Sequence, residues 1–409
     1  MVLVLISEFM QDEIYLDIES QYYDLFDRVI VFSLRGHMYA NKRLQIKNKM
    51  EYGAKDIFYK SNKERIKFAI KGMMHPYGRQ EMIYLKNSHK LNMSTFKNYL
   101  LFTAKAQLLA EKMEEVLEKC KIKNDEKIIF YSYRFGMGVL AAIRIRKRYK
   151  NAKIIARCHG QDLFEFRNAD NYLPYRNILY KKIDHIFCIS EDGKKYIETK
   201  YSQYSKKTSV SLLGTSDMGI NELLNNKTMI IVSCSRIAPI KRLELIAKAL
   251  CGIEEFAVKW IHYGEGDLNY LKEIKQILKK CKKNVEYSFE GFVDNEKLRN
   301  IYTKEQFSVF INVSESEGLP VSIMEAISVG LPVVATDVGG TREAVIDKYN
   351  GFLLKKDFVV SELIEAIQTI HEMNQDEYKL FCTNSRSLWK EKFSESENYR
   401  QFVDNILEL

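Results

Sequence analysis

The sequence is short of the residues that break, tether or staple chains. Its 409 residues hold 5 Pro and 19 Gly, which argues against low-complexity linkers. Cysteine is scarce and unpatterned, 7 residues with no Cys-x-x-Cys pair. An odd, dispersed count fits a reducing cytoplasm and is neither a disulfide framework nor a zinc site. No tandem repeat is present. No long apolar run is present either. MVLVLISEF at the start has no basic residues before it and acidic residues soon after. It is too short for a membrane span and reads as a first strand.

What remains is a chain built to bury cores. Hydrophobic residues make up 46% and aromatics 12%, a composition of packed domains and not of disorder. The length is large for one core and implies two domains. Strand-like and helix-like segments alternate from end to end, the pattern of an α/β chain with parallel sheets. The formal charge of +9 is carried mostly by lysine. Nucleic acid, an anionic membrane or a phosphorylated substrate would each answer it, and no known nucleic-acid module is visible.

The most informative stretch runs from Phe307 to Val345, FSVFINVSESEGLPVSIMEAISVGLPVVATDVGGTREAV. Phe307–Val313 has strand character and Ser314–Gly318 is a polar turn. Pro320 stands where a first helical turn tolerates its missing N–H. Val321, Met324, Ile327 and Val329 continue at roughly helical spacing. Gly330 ends the helix and Pro332–Ala335 starts another strand, so the spacing predicts one βαβ unit. Ligands of open parallel sheets bind outside the carboxyl ends of the strands. Glu317 is at that edge, and Glu325 lies about two turns into the helix. Between them the helix start offers free N–H groups and a positive dipole end, a site for phosphate. Carboxylates repel phosphate and accept hydrogen bonds from hydroxyls, so a carboxylate on each side suits a phosphate ligand with sugar at both ends.

This segment resembles the E-x7-E motif of retaining GT-B glycosyltransferases of family 4, and the phrases LPYR, DHIFCISEDGKKYI and SLLGTSD resemble a bacterial surface-polysaccharide branch of that family. The resemblance implies two Rossmann-like domains facing across a cleft. It assigns Glu317 to the transferred sugar and Glu325 to the ribose of a nucleotide-sugar donor. Gly318 lies in the same turn, and Leu319 and Val321 would offer backbone N–H groups that Pro320 cannot. In CSRIAPIKRLELIAKAL, Arg236 and Lys241 resemble the pair that grips the donor diphosphate. Fixed cations stabilise the charge that develops on that leaving group, and one charge pair at ~4 Å is worth about 4 kcal/mol at an effective dielectric of 20. No Asp-x-Asp triad occurs, in agreement with a metal-independent reaction without cofactor. In CHGQDLFEFR, the His159–Asp162 segment resembles the family's H-G-x-D. It places His159 beside the transferred sugar and gives Asp162 either an acceptor or a bracing role.

Other segments carry weaker expectations. The loop after the first strand, SEFMQDEIYLD, has no glycine, unlike many GT-B enzymes. Asp12 and Glu13 there are either acceptor contacts or charges set against a helix dipole. Gly136, Gly138 and Ala141 form a G-x-G-x-x-A turn, which fits a dinucleotide fingerprint or merely close strand–helix packing. KSNKERIKFAIKGMMH mixes lysine with apolar residues at helical spacing, and Tyr52, Phe58 and Tyr59 precede it. That segment reads as a solvated helix or as one lying on an anionic membrane. Domains are expected at 1–220 for the acceptor, joined by a C-terminal helix at 390–409, and at 221–389 for the donor. The implied function is transfer of a sugar from a nucleotide-diphosphate sugar to a saccharide or lipid-linked saccharide, in the cytoplasm and in contact with the membrane's cytoplasmic face. A nucleotide-sugar epimerase and a non-catalytic sugar-nucleotide-binding subunit are the alternatives.

Overall fold

The structure is a computed structural model that describes residues 1–8, 14–34, 44, 50–54, 61–221 and 228–409. Asp12, Glu13, Phe58, Tyr59 and the polar run 222–227 lie outside the described residues. Two compact units are present: Met1–Leu212 together with Tyr399–Leu409, and Leu213–Asn398.

The first unit is built on a seven-stranded sheet in the order β3-β2-β1-β4-β5-β6-β7. Its strands are β1 (Val2–Ser7), β2 (Arg28–Ser33), β3 (Met50–Ala54), β4 (Ile128–Ser132), β5 (Ala152–Cys158), β6 (His185–Cys188) and β7 (Thr208–Val210). Every ladder is parallel. The reason is visible in β1: VLVLIS is buried at every position, the continuous apolar run of a strand covered on both faces. The N-terminal apolar segment is therefore a central strand, and among the described residues no helix is long and apolar enough to cross a membrane.

The second unit repeats the plan with six strands in the order β10-β9-β8-β11-β12-β13. They are β8 (Thr228–Cys234), β9 (Ala257–Tyr263), β10 (Val285–Gly291), β11 (Val309–Asn312), β12 (Val333–Thr336) and β13 (Gly351–Leu354). These ladders are also parallel. Both sheets reverse their winding once, between β1 and β4 in the first and between β8 and β11 in the second. Such a switch point splays the loops at the carboxyl edge and opens a crevice there.

One expectation is overturned. Cys251 and Cys281 form a disulfide, with Cα atoms 4.3 Å apart. Cys251 ends the helix Leu243–Cys251, and Cys281 follows the helix Leu268–Leu278 shortly after its end. Those two helices pack side by side, so cysteines that look dispersed in the chain are neighbours in space.

Candidate functional site

In the second unit the switch point gathers the predicted residues. The loop leaving β8 runs through Arg236 to a short 3-10 turn, Pro239–Lys241, and the loop leaving β11 carries Glu317. Lys241 Nζ donates to Glu317 Oε1 at 2.6 Å. Asn312 Nδ2 reaches the same oxygen at 3.3 Å. Lys241 and Glu317 retain 23% and 12% side-chain exposure, enough to meet a ligand from one side. Glu325 is buried in the helix Val321–Ser328. Its field reaches Cys234 at the end of β8. Burial first, then Glu325, pushes that thiol up to about 12, against an opposing pull from Lys241. Glu325, Lys241 and Cys234 therefore share one electrostatic neighbourhood. Arg236 is exposed on the same β8 loop.

Local interactions set this geometry. Arg242, a residue that sequence reasoning passed over, is the clamp. Its guanidinium donates to Val313 O at 2.7 Å, Lys356 O at 2.7 Å and Ser314 O at 3.3 Å. Three carbonyls on one fork tie the Lys241 turn to the loop that carries Glu317. Glu315 N donates back to Ile240 O at 2.8 Å. A dense Asx turn steadies the start of that loop: Asn312 Oδ1 accepts from Ser314 N at 3.1 Å and Ser314 Oγ at 2.6 Å.

Glycines let a third loop close over it. Gly339 has φ +55°, and a Cβ there would stand 2.0 Å from Glu317 O. Gly340 N donates to Gly318 O at 2.6 Å. Gly318, Leu319 and Val321 thus lead into the helix, whose first N–H groups have no acceptor within it. On the β8 side, Gly264 has φ +137° and would carry a Cβ 1.9 Å from Ser235 O. Its neighbour His262 bonds Ser235 O through Nε2 at 3.1 Å and Ser233 Oγ through Nδ1 at 2.8 Å. Trp260 Nε1 donates to that hydroxyl at 2.9 Å. This buried chain fixes the backbone beside Arg236.

The first unit holds His159 and Asp162. His159 follows β5 at the carboxyl edge, its ring 5.1 Å from the Tyr133 ring, centroid to centroid, and tilted by 39°. Of the two roles open to Asp162, the geometry is that of a brace. Oδ1 accepts from His159 N at 2.6 Å and Oδ2 from Phe135 N at 2.7 Å. Burial would raise this carboxyl, but His159, Arg134 and the Phe135 N–H outweigh burial and hold it below the usual range. Both oxygens thus accept from backbone N–H groups, which is the bracing one of the two roles left open for Asp162.

The G-x-G-x-x-A turn is also resolved. Glu8, in the glycine-free loop after β1, meets this turn, and a Cβ on Gly136 would lie 2.7 Å from its Oε1. Its Oε1 accepts from Met137 N at 3.0 Å, at the start of the helix Met137–Ile145. A Cβ on Gly138 would lie 2.5 Å from Ser132 Oγ and 2.8 Å from Ile6 Cγ2. The second glycine therefore serves close helix–strand packing, and a carboxylate already caps the dipole.

Comparison with known proteins finds similarity to glycosyltransferases. Residues 192–387 match the family described as "Glycosyl transferases group 1". An uncharacterized glycosyltransferase of Methanocaldococcus jannaschii is 27% identical over 303 residues, covering 68% of this chain and 74% of that protein. The O-antigen biosynthesis glycosyltransferase WbnH of Escherichia coli is 28% identical over 42% of this chain and 46% of its own length. The chain spans about half or less of several other curated relatives that it matches. Among solved structures, Anabaena HepE in complex with UDP-glucose superposes with a TM-score of 0.68 at 15% identity, over 100% of both chains. The fold is thereby the two-unit α/β fold of the GT-B glycosyltransferases.

Proposed function

We propose that this chain transfers a sugar, with retention of anomeric configuration, from a nucleotide-diphosphate sugar to a hydroxyl of a saccharide or lipid-linked saccharide, in bacterial surface-polysaccharide assembly as a family 4 enzyme. The observation that carries the reading is the Lys241–Glu317 contact at 2.6 Å beside the start of the helix Val321–Ser328. The group 1 match over residues 192–387 supports it. Lys241, Arg236 and the helix start supply positive charge where a diphosphate leaving group becomes negative. In this scheme Glu317 takes the hydroxyls of the transferred sugar and Glu325 those of the ribose. His159 is assigned to the transferred sugar by the resemblance of its segment. The bond from the anomeric carbon to the phosphate oxygen breaks, the acceptor oxygen bonds that carbon on the same face, and the acceptor proton passes to the departing phosphate. No strong protein base and no metal ion are required.

A second observation supports contact with an anionic membrane. The helix Asn62–Met74 buries Phe68 and Gly72, and turns Ile66, Ile70 and Met74 to solvent beside Lys63, Lys67 and Lys71. Apolar residues flanked by lysine suit a headgroup layer.

The test is to incubate the purified chain with a panel of nucleotide sugars, with and without membrane lipid extract, and to measure released nucleotide. One donor is expected to be hydrolysed slowly alone and faster with acceptor, unaffected by chelator. Near-complete loss is expected in Lys241→Ala and Glu317→Ala, and a strong drop in His159→Ala. Wild-type rates in the first two variants overturn the reading. Epimerised donor without release identifies an epimerase, and binding without turnover a non-catalytic subunit.

A further inference from the structure

Across the first sheet from His159 two cavities lie side by side. The strands are parallel, so the loops entering them gather at the edge opposite the loops that leave. Lys147 and Lys150 lie before β5, and Lys181 and Lys182 before β6, whereas His159 follows β5. The seven residues of β5 separate the two edges by roughly 23 Å of extended chain.

One cavity, of about 450 Å³, is lined by Tyr77, Tyr84, Tyr204, Gln80, Glu81 and Asn177, with Lys181 and Lys182 beside them. The other, of about 390 Å³, is lined by Arg146, Lys147, Tyr149 and Lys150 and shares Tyr77 and Lys182 with the first. The two are neighbours with Tyr77 and Lys182 in both walls. Arg146 is paired with Asp184 at 2.9 Å. Lys147, Lys150, Lys181 and Lys182 have no carboxylate partner among the described residues. Among the described residues Glu81 is the only carboxyl lining either cavity, and it is 2% exposed. Its Oε1 is held by Tyr172 OH at 2.7 Å and Tyr175 N at 2.8 Å, which orients the group.

We propose that this pair of cavities binds an anionic oligosaccharide, sugar rings that bear carboxylate or phosphate groups, at a site separate from the donor site. The half-buried rings of Tyr77, Tyr84 and Tyr204 offer apolar faces with a polar edge, the surface that packs on a sugar ring. Gln80 and Asn177, both exposed, meet hydroxyls, and the four lysines meet the acidic substituents.

Binding is measured on the full chain at about 150 mM salt, where weak surface attraction is largely screened. The probes are a labelled oligogalacturonate and a phosphorylated mannan fragment. A neutral dextran oligosaccharide, a poly(dT) oligonucleotide and phosphatidylglycerol vesicles serve as competitors. One or both acidic saccharides are expected to bind at least about tenfold tighter than dextran. Lys181→Glu with Lys182→Glu should weaken binding at least about tenfold. Tyr77→Ala should weaken it about fivefold or more, the loss of one stacking contact. Both variants should hydrolyse nucleotide sugar within about twofold of wild type, so this site and the donor site fail independently. Absence of binding by either acidic saccharide overturns the proposal. So does binding that both variants leave unchanged, or equal displacement by poly(dT) or vesicles with Tyr77→Ala without effect. Unchanged circular dichroism of the exposed lysine variant separates loss of binding from loss of fold.

Discussion

Lys241 and Glu317 are 76 positions apart in the chain and meet at 2.6 Å. Each neutralises the other, so a diphosphate that comes to Lys241 must draw the ammonium from Glu317. Glu317→Gln removes the competitor and keeps the shape. It is expected to bind nucleoside diphosphate several-fold tighter than wild type while transfer slows about 100-fold, the scale for loss of one group that acts on the developing transition state. Titration calorimetry and steady-state kinetics on one preparation read both effects. Tighter binding that fails to appear would show that the pair does not compete with the donor.

Glu8 and Met137 N make a second joined pair, 3.0 Å apart and 129 positions distant. The carboxylate sits at the dipole start of the helix Met137–Ile145. Glu8→Ala is expected to lower stability by about 1–2 kcal/mol, the loss of a helix cap, read by urea denaturation. Nicotinamide dinucleotides should not bind wild type at millimolar concentration, as judged by NADH fluorescence. Saturable NADH binding would reopen the dinucleotide reading of the Gly136 turn.

The central βαβ unit was legible because its signals are local. Pro320, Gly330 and the apolar spacing of Val321, Met324 and Ile327 lie within one short window, and the helix forms at Val321–Ser328. The cap of the helix Glu191–Lys200 is equally local: Ser190 Oγ accepts from Gly193 N at 3.1 Å. The short edge strands β3, β7 and β13 carry too few residues for a period to show. Glu8 hid in a loop that invited attention for its missing glycine, because its partner lies in a distant helix. Arg242 reads as one more cation beside Lys241. Only the folded loop brings three carbonyls to it, and its own backbone at φ 50° leaves no mark in the sequence. The Cys251–Cys281 disulfide likewise depends on helix packing that spacing alone does not reveal.

His262 gives the second unit a pH-dependent stability. Burial lowers its pKa to about 4, with the hydrogen bond to Ser235 O opposing. An unfolded histidine titrates near 6.5. Between those values the unfolded chain binds a proton that the folded chain does not, so stability falls as pH drops from about 6.5 toward 4. A gap of this size corresponds to on the order of 3 kcal/mol. Denaturation midpoints measured from pH 7 to 4.5 should fall in wild type and fall less in His262→Asn, which is less stable than wild type at pH 7. Parallel pH profiles for the two proteins would contradict this account.

Arg157 and Glu19 form a fully buried ion pair in the first unit, Nε to Oε2 at 2.8 Å, with both side chains at 0% exposure. Tyr23 OH donates to the other Glu19 oxygen at 2.5 Å, and Arg157 also donates to Ser211 O at 2.8 Å. The Phe402 ring covers the guanidinium at 3.8 Å, so the C-terminal residues Tyr399–Leu409 depend on this charge for part of their hold on the first unit. Removing one partner strands the other charge without water, which costs about 3–5 kcal/mol. Removing both leaves no charge to strand. Glu19→Gln and Arg157→Met should therefore each destabilise the protein strongly, and the double variant should be more stable than either single one. Guanidinium denaturation of the four proteins closes the cycle. Additive losses would mean that packing against Phe402 and Tyr23, and not charge pairing, holds Arg157 in place.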